Sequence, residues 1–389
     1  MTYIIRGQWG LNREGFFRSD PWFLVSDFKI IEHGFGKPPA GIKTTFAGDG
    51  LIIPGLVNSH THTELSHLKN KIIGGNGVHG FASNIMKQPK PQISEVVEMA
   101  KNEVENAALR GTFYFADISN DPEFIVLMKN YFNNRVNIQS LQFLELLGFR
   151  EPFDQRRMQM AESFFNSHVL DGDIRRDIRV TPHSVYGSSP DIMKYIQGKN
   201  KKIISIHALE DPDEINLFNK KGKTFDFLNS IGQYAQHDDF NEKNYVLYLK
   251  KYFRDVEKLL MVHLAFADDG LLKQMKIDLP QSAIVLCHRS NDFLGYERSN
   301  WQSLTTSSLP LLIGTDSAAT CPDISVLDEI LSIIKKDKMP ENVLWKSAAY
   351  NSYDYFNIAS GEIPWFLFRD TTPDVSTLEN VHAIDIVQL

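Results

Sequence analysis

The sequence predicts an α/β protein whose larger part is a (β/α)8 barrel. From Leu51 onward, short apolar strands alternate with amphipathic helical stretches, the texture of βα units and a parallel sheet. Eight candidate strands end near His60, Asp117, Glu145, His183, His207, His263, His288 and Asp316. Polar residues gather at those C-terminal ends, where a barrel of this kind collects its catalytic groups. A doubly wound open sheet is the alternative, but it would place a ligand in one crevice rather than draw groups from many strands.

Taken in order, Met1 to about Gly50 reads as short strands broken by glycine and proline, such as Phe23–Ile31, with no helical periodicity. This is a small β-domain. The apolar run Leu51–Ser59 is the first barrel strand and closes on His60-Thr61-His62. Further on, Val96, Val97, Ala100, Val104, Ala107 and Ala108 line one face of a helix from Ile93 to Arg110, and Gly111 stops it. Ile203–Ile206 and Leu311–Gly314 are typical of the later strands. Between Glu210 and His263 lies a long polar and aromatic stretch with Phe225, Phe227, Tyr234 and Tyr245, which either covers the barrel mouth or is a surface excursion. The last segment, Val381–Leu389, reads as a strand that completes the N-terminal β-domain. The expected division is therefore residues 1–50 with 360–389, and a barrel over 51–359. Gly75–Gly80 matches Gly-x-Gly-x-x-Gly, yet Pro89 and Pro91 limit a following helix, so it is read as a loop and not a dinucleotide site.

Bulk properties narrow the function. The 389 residues are 42% hydrophobic, enough for one large core or two modest ones. A net charge of -7 argues against a phosphate-binding surface, so nucleic acid is not an expected partner. Cys287 and Cys321 form no disulfide framework, and no apolar run approaches membrane-spanning length. The opening residues lack a basic region followed by an apolar stretch. A cytoplasmic, soluble protein is expected, with a homo-oligomer left open.

The chemistry lies in the strand ends. Histidines at i and i+2 of a strand project to one side, so His60 and His62 can grip one metal ion. His207 ends another apolar strand with Glu210 three residues on, His263 ends a third, and Asp316 a fourth. Each alone would pass for a packed histidine or a capping aspartate. Together, His60, His62, His207 and Asp316 make a set of imidazole and carboxylate ligands that suits zinc or iron and leaves a position open for water. The other zinc deaminase type needs a Pro-Cys-x-x-Cys pair that is missing here.

The chain resembles the amidohydrolase superfamily, in its aminohydrolase branch. The matching segments are Pro54-Gly-Leu-Val-Asn-Ser-His-Thr-His-Thr-Glu-Leu65, Pro182-His-Ser-Val-Tyr186, His207-Ala-Leu-Glu210, Val262-His263, Arg289-Ser-Asn291 and Gly314-Thr-Asp-Ser317. The resemblance implies a distorted (β/α)8 barrel with a β-sandwich built from both termini. It also implies one divalent metal ion, zinc first and iron as the alternative, because Ile178–His183 lacks the lysine of binuclear relatives.

The activity so implied is hydrolytic deamination of a small heterocycle, an amino-substituted purine or nucleoside. A metal-bound hydroxide attacks the amino-bearing carbon and ammonia leaves. Asp316 takes the proton of the water, His263 steadies the developing centre, and Glu210 carries a proton to a ring nitrogen and then to the ammonia. His183 resembles the family's substrate contact. Arg289 and Asn291 follow strand seven, where Arg289 either meets a substrate carboxylate or is structurally paired. His288 stands where many relatives have proline. Leu141–Gly148, Pro182–Tyr186 and His207–Glu210 look most similar to aminodeoxyfutalosine deaminases. Cyclic amide hydrolysis and hydrolytic dehalogenation are alternatives for the same centre, and a non-catalytic metal-stabilised binding protein is a third.

Overall fold

The computed structural model describes residues 2–89, 91–167, 178–232, 245–296 and 301–388. Tyr234 and Leu389, named above, lie outside the described residues.

Eight parallel strands form two four-stranded sheets. The first holds β1 (Leu56–Thr61), β2 (Thr112–Ser119), β3 (Gln139–Leu146) and β4 (Ile178–Pro182); the second holds β5 (Ile203–Ala208), β6 (Lys258–His263), β7 (Ser282–Leu286) and β8 (Leu311–Ile313). Within each sheet, consecutive strands pair. Across the two seams the pairing shrinks to single parallel bridges, Thr61 with Asp316 and Ser184 with His207. The two sheets are therefore joined at their C-terminal rim, where the site lies.

Side chains stitch the seams where the ladder fails. Asn58 on β1 donates to Thr315 Oγ1 at 2.7 Å and to the Ile324 carbonyl at 3.2 Å, and its Oδ1 accepts the Thr315 N–H at 3.2 Å. On the opposite seam the Thr181 hydroxyl accepts the Ser205 N–H at 2.9 Å and donates to the Ser205 carbonyl. Buried polar groups cost free energy unless paired, and these side chains supply the partners that a neighbouring strand would.

The strands are apolar because helices cover them from outside. The helix Ile93–Ala108 buries Val96, Val97, Ala100, Val104 and Ala107, and Gly111 ends the segment at φ +85°. The helix Tyr245–Phe253 buries Tyr245, Tyr248, Tyr252 and Phe253, so this part of the expected insertion is barrel wall.

Both chain ends meet in two further sheets. One orders the strands 29–35, 21–26, 2–6 and 44–46; the other orders 384–385, 365–369, 50–54, 9–11 and 17–19. Ile5, Phe23, Val25, Ile52, Trp365 and Leu367 share their core.

Several sequence expectations change. The run Leu51–Ser59 is not one strand: Gly50–Pro54 pairs with Trp365–Arg369 in the terminal sheet, and β1 begins at Leu56. Gly55 lies between them, and a Cβ there would come within 2.5 Å of Phe113. Phe23–Ile31 is a hairpin that turns at Asp27 and Phe28, both left-handed, as a two-residue turn requires. Among the described residues of the segment Val381–Leu389, only Ile384–Asp385 is a strand. Strand β7 stops at Leu286, and His288 opens a helix, its Nδ1 3.1 Å from Asp337. Gly75–Gly80 is not simply a loop, because the helix Gly77–Lys87 starts inside it. That helix lies near the helix Lys223–Ser230, with the His79 and Phe227 rings 5.8 Å apart.

Candidate active site

His60, His62, His207 and Asp316 converge at the rim, with one ligand atom from each within 4.8 Å of the others. His62 Nε2 is 3.3 Å from His207 Nε2 and 3.9 Å from Asp316 Oδ1. Groups on other segments hold three of the four donors from behind. His207 Nδ1 donates to the His183 carbonyl at 2.9 Å, which turns Nε2 inward. His60 Nδ1 faces Ser205 Oγ at 3.4 Å. Ser290 Oγ and Thr320 Oγ1 donate to Asp316 Oδ2 at 2.6 and 3.1 Å, leaving Oδ1 for the cluster. Asp316 is left-handed, at φ +61°, a conformation that surrounding contacts must enforce. Its carbonyl accepts the His62 N–H at 2.7 Å and Thr61 Oγ1 at 2.8 Å.

Burial sets the charge states. It pushes His62 down to about 3 and His60 well below the usual imidazole range, and it also lowers His207. For Asp316, burial works against ionisation, but the His62 and His263 rings and the Ser290 hydrogen bond outweigh it and hold the carboxyl low. The result is three neutral imidazoles and one carboxylate. His60 Nε2 is buried without a hydrogen-bond partner, a costly arrangement for a lone pair facing other nitrogens. A divalent cation fits this donor set.

Beside the cluster, His263 is fully buried, with φ of +72°. Its Nδ1 donates to Asn291 Oδ1 at 3.0 Å, and its Nε2 lies 3.5 Å from Glu210 Oε1. Glu210 follows a left-handed Leu209, and the buried Glu214 carboxyl gathers the loop by accepting the N–H groups of Leu209, Glu210 and Asp211 at 2.9, 2.8 and 3.3 Å. Burial raises the Glu210 carboxyl to about 8; the Asp316 and Asp211 charges add to the rise and His207 opposes it. Such a group keeps a proton to give near neutrality.

The residues expected to bind substrate divide. His183 is half-buried at the site wall, its ring stacked on that of His207 at 4.7 Å. Arg289 is corrected to a structural role: its Nε donates to Glu329, and its Nη2 donates to Asp323 Oδ1 at 3.0 Å and to the Ser325 carbonyl. Asn291 meets His263 through Oδ1, and its Nδ2 is buried without a hydrogen-bond partner.

Sequence reasoning assigned no role to Glu64, Asp117, Glu145 or Glu214. Asp117 accepts the Thr63 N–H at 3.0 Å and the Thr63 hydroxyl at 2.7 Å, pinning the turn after His62. Glu145 Oε1 lies 3.7 Å from His207 Nδ1. Burial, reinforced by Glu64 and Asp316, drives the Glu145 carboxyl well up, and burial brings Glu64 to about 7. Asp117 and Glu145 carried a signal, since both ended predicted strands. Glu64 and Glu214 lie in short 3-10 helices after strand ends, where a carboxylate is unremarkable in sequence.

The amidohydrolase family model matches residues 51–364. The chain belongs to the amidohydrolase family. An adenosine deaminase of Helicobacter pylori is 23% identical to this amidohydrolase over 327 residues, covering 82% of this chain and 77% of the relative. Among solved structures, H. pylori aminofutalosine deaminase in complex with methylthio-coformycin superposes with a TM-score of 0.79 at 20% identity, over 98% of this chain and 97% of that one. An adenosine deaminase from Xanthomonas campestris with bound zinc gives 0.68 at 16% identity, over 99% and 90%. These structural likenesses establish the fold. As a family member, the amidohydrolase is a hydrolase acting on carbon–nitrogen bonds. Among the described residues, no helix is long and apolar enough to cross a membrane.

Proposed function

We propose that this amidohydrolase deaminates an amino-substituted purine, nucleoside or related heterocycle, replacing the amino group by a carbonyl and releasing ammonia. One observation carries the reading: Glu210, buried and raised to about 8, stands 3.5 Å from His263 Nε2 beside the His/Asp cluster. Hydrolysis of a cyclic amidine needs a proton donor next to a site that prepares water.

His60, His62, His207 and Asp316 would hold one ion, with zinc as the first choice. A divalent ion in such a site supplies a nucleophilic water near neutral pH, by lowering its pKa to about 7. Ionised Asp316 would accept a proton from the attacking water. His263 carries its proton on Nδ1 toward Asn291, so its Nε2 accepts a hydrogen bond from the same water. Glu210 protonates the ring nitrogen next to the amino-bearing carbon; the proton held by Asp316 then passes, by way of Glu210, to the departing amine, and the hydroxyl proton lost as the carbonyl forms restores Glu210. His183 contacts the substrate near the group being displaced.

Aminodeoxyfutalosine heads the candidate substrates, supported by the resemblance of Leu141–Gly148 and by the high structural similarity to an aminofutalosine deaminase. The test is to incubate the metal-loaded protein with adenosine, methylthioadenosine, S-adenosylhomocysteine, guanine and aminodeoxyfutalosine, following ammonia and ring absorbance. Ammonia from at least one purine is expected. None from the whole panel overturns the deaminase reading.

A further inference from the structure

Above the metal cluster, four segments meet at one carboxylate. Asp211 Oδ2 accepts the Tyr296 hydroxyl at 2.6 Å and lies 3.3 Å from His79 Nε2. Its Oδ1 accepts the Asp213 N–H at 2.8 Å and faces Thr224 Oγ1 at 3.4 Å. The Tyr296 oxygen in turn accepts the Val78 N–H at 2.9 Å. The first turn of the helix Gly77–Lys87 is thus held twice, directly through His79 and through Tyr296.

That helix needs such a clasp. None of its residues is buried, and the chain enters it through Gly75 at φ +84° and Gly77 at φ +64°. Its apolar grip on the body is Phe81 and Ile85 against the small cluster of Leu68, Ile72 and Ala319. Few buried contacts and glycines at the entry are the marks of an element that opens at low cost. Asp211 is also the residue after Glu210, and Glu214 grips the backbone of both from below. One short loop is therefore fixed to the barrel underneath and to the mouth helix above.

Asp211 and Asp213 with His79 also have metal-ligand types, but the carboxylate oxygens already accept hydrogen bonds, those of Asp213 from Asn216 Nδ2 at 2.8 Å and the Lys223 N–H at 2.7 Å. The group is satisfied as a clasp. Burial works against ionisation of Asp211, but the hydrogen bonds from His79 and Tyr296 outweigh it and keep the carboxyl below its usual range, so these are charge-assisted bonds.

We infer that Asp211 is a positioning residue: through His79 and Tyr296 it couples closure of the helix Gly77–Lys87 over the barrel mouth to the placement of the Glu210 carboxyl. The catalytic half of this statement rests on the deaminase reading, whereas the mechanical half does not.

Hydrogen–deuterium exchange and steady-state kinetics on the metal-loaded protein separate the two. Asp211→Asn is expected to speed exchange of the amides of residues 78–87 and 209–211 together by about tenfold or more, since hydrogen bonds to a charged group are lost. Exchange in the barrel strands and metal content stay unchanged. Tyr296→Phe, which removes one hydroxyl and tests the idea even where Asp211→Asn fails to fold, moves both segments the same way to a smaller extent. His79→Ala does likewise, and His79→Gln, which keeps a donor, restores the wild-type pattern. With a purine that the wild type turns over, kcat falls about tenfold in Asp211→Asn while KM stays within about threefold.

Unchanged exchange in the folded variants overturns the clasp. Faster exchange in residues 78–87 with neither residues 209–211 nor kcat affected overturns the coupling. A wild type inactive on every purine overturns the deaminase reading instead, and the exchange of the two segments still decides the clasp.

Discussion

At the floor of the site, on the barrel's C-terminal rim, His60, His62, His207 and Asp316 are buried, and His60, His207 and Asp316 are held from behind by groups on other segments, whereas the helix at the mouth buries none of its residues and is tied by side chains from separate loops. The floor tolerates little displacement. A metal site requires ligand atoms held in a set geometry, and strands that pack on both faces provide it. The mouth must admit a substrate and then exclude water, so weakly packed elements with reversible polar ties suit it. Substitutions in the two regions should accordingly fail in different ways.

The largest effects are expected on the floor. His207→Ala and Asp316→Asn should each lose bound metal and lower turnover by about three orders of magnitude or more, read by elemental analysis alongside ammonia release. Full metal stoichiometry in both variants would remove these residues from the ligand set. Next comes Glu210→Gln, which should keep its metal and lose about 10²–10⁴ in kcat. A fully active variant would take Glu210 out of the proton transfer and leave floor and mouth without their catalytic link.

The pH profile offers a subtler comparison. Glu210 is raised to about 8 and acts as its protonated form, so kcat/KM should hold on the acid side and fall as pH rises through about 8, where the proton is lost. A profile still rising at pH 9 would contradict this assignment. The smallest effect is structural: Asn58→Ala leaves seam donors and acceptors unpaired and should cost about 1–3 kcal/mol in denaturant unfolding, with exchange at the mouth helix unaltered.

The floor was legible in the sequence because it is written in local order: an apolar run, then a metal-suited side chain, repeated at strand ends. His60, His62, His207 and Asp316 could be read in this way one strand at a time. Glu214 and Asp211 were not, because their partners are backbone N–H groups and loop side chains that only folding brings close. The helix Gly77–Lys87 was obscured by the glycines and prolines around it, which signal a turn unless tertiary ties hold the segment. Arg289 lay in a matching motif, yet Glu329 and Asp323, distant in sequence, claim its guanidinium. The division of Leu51–Ser59 was hidden for a related reason: a strand crossing from one sheet to another is apolar throughout.

The two seams would make a bound ion something more than a reagent. His60 and His62 come from the sheet of β1–β4, while His207 and Asp316 come from that of β5–β8, and single bridges at or beside these residues, Thr61 with Asp316 and Ser184 with His207, join the two sheets. Cutting the chain between Lys199 and Lys202 would yield two pieces, each with a complete four-stranded sheet and half of a coordination sphere. Neither could retain a divalent cation with four protein donors; the pieces would still meet through Gly50–Pro54 and Trp365–Arg369, and metal uptake, linked to that reassembly, would tighten it just as a chelator would loosen it.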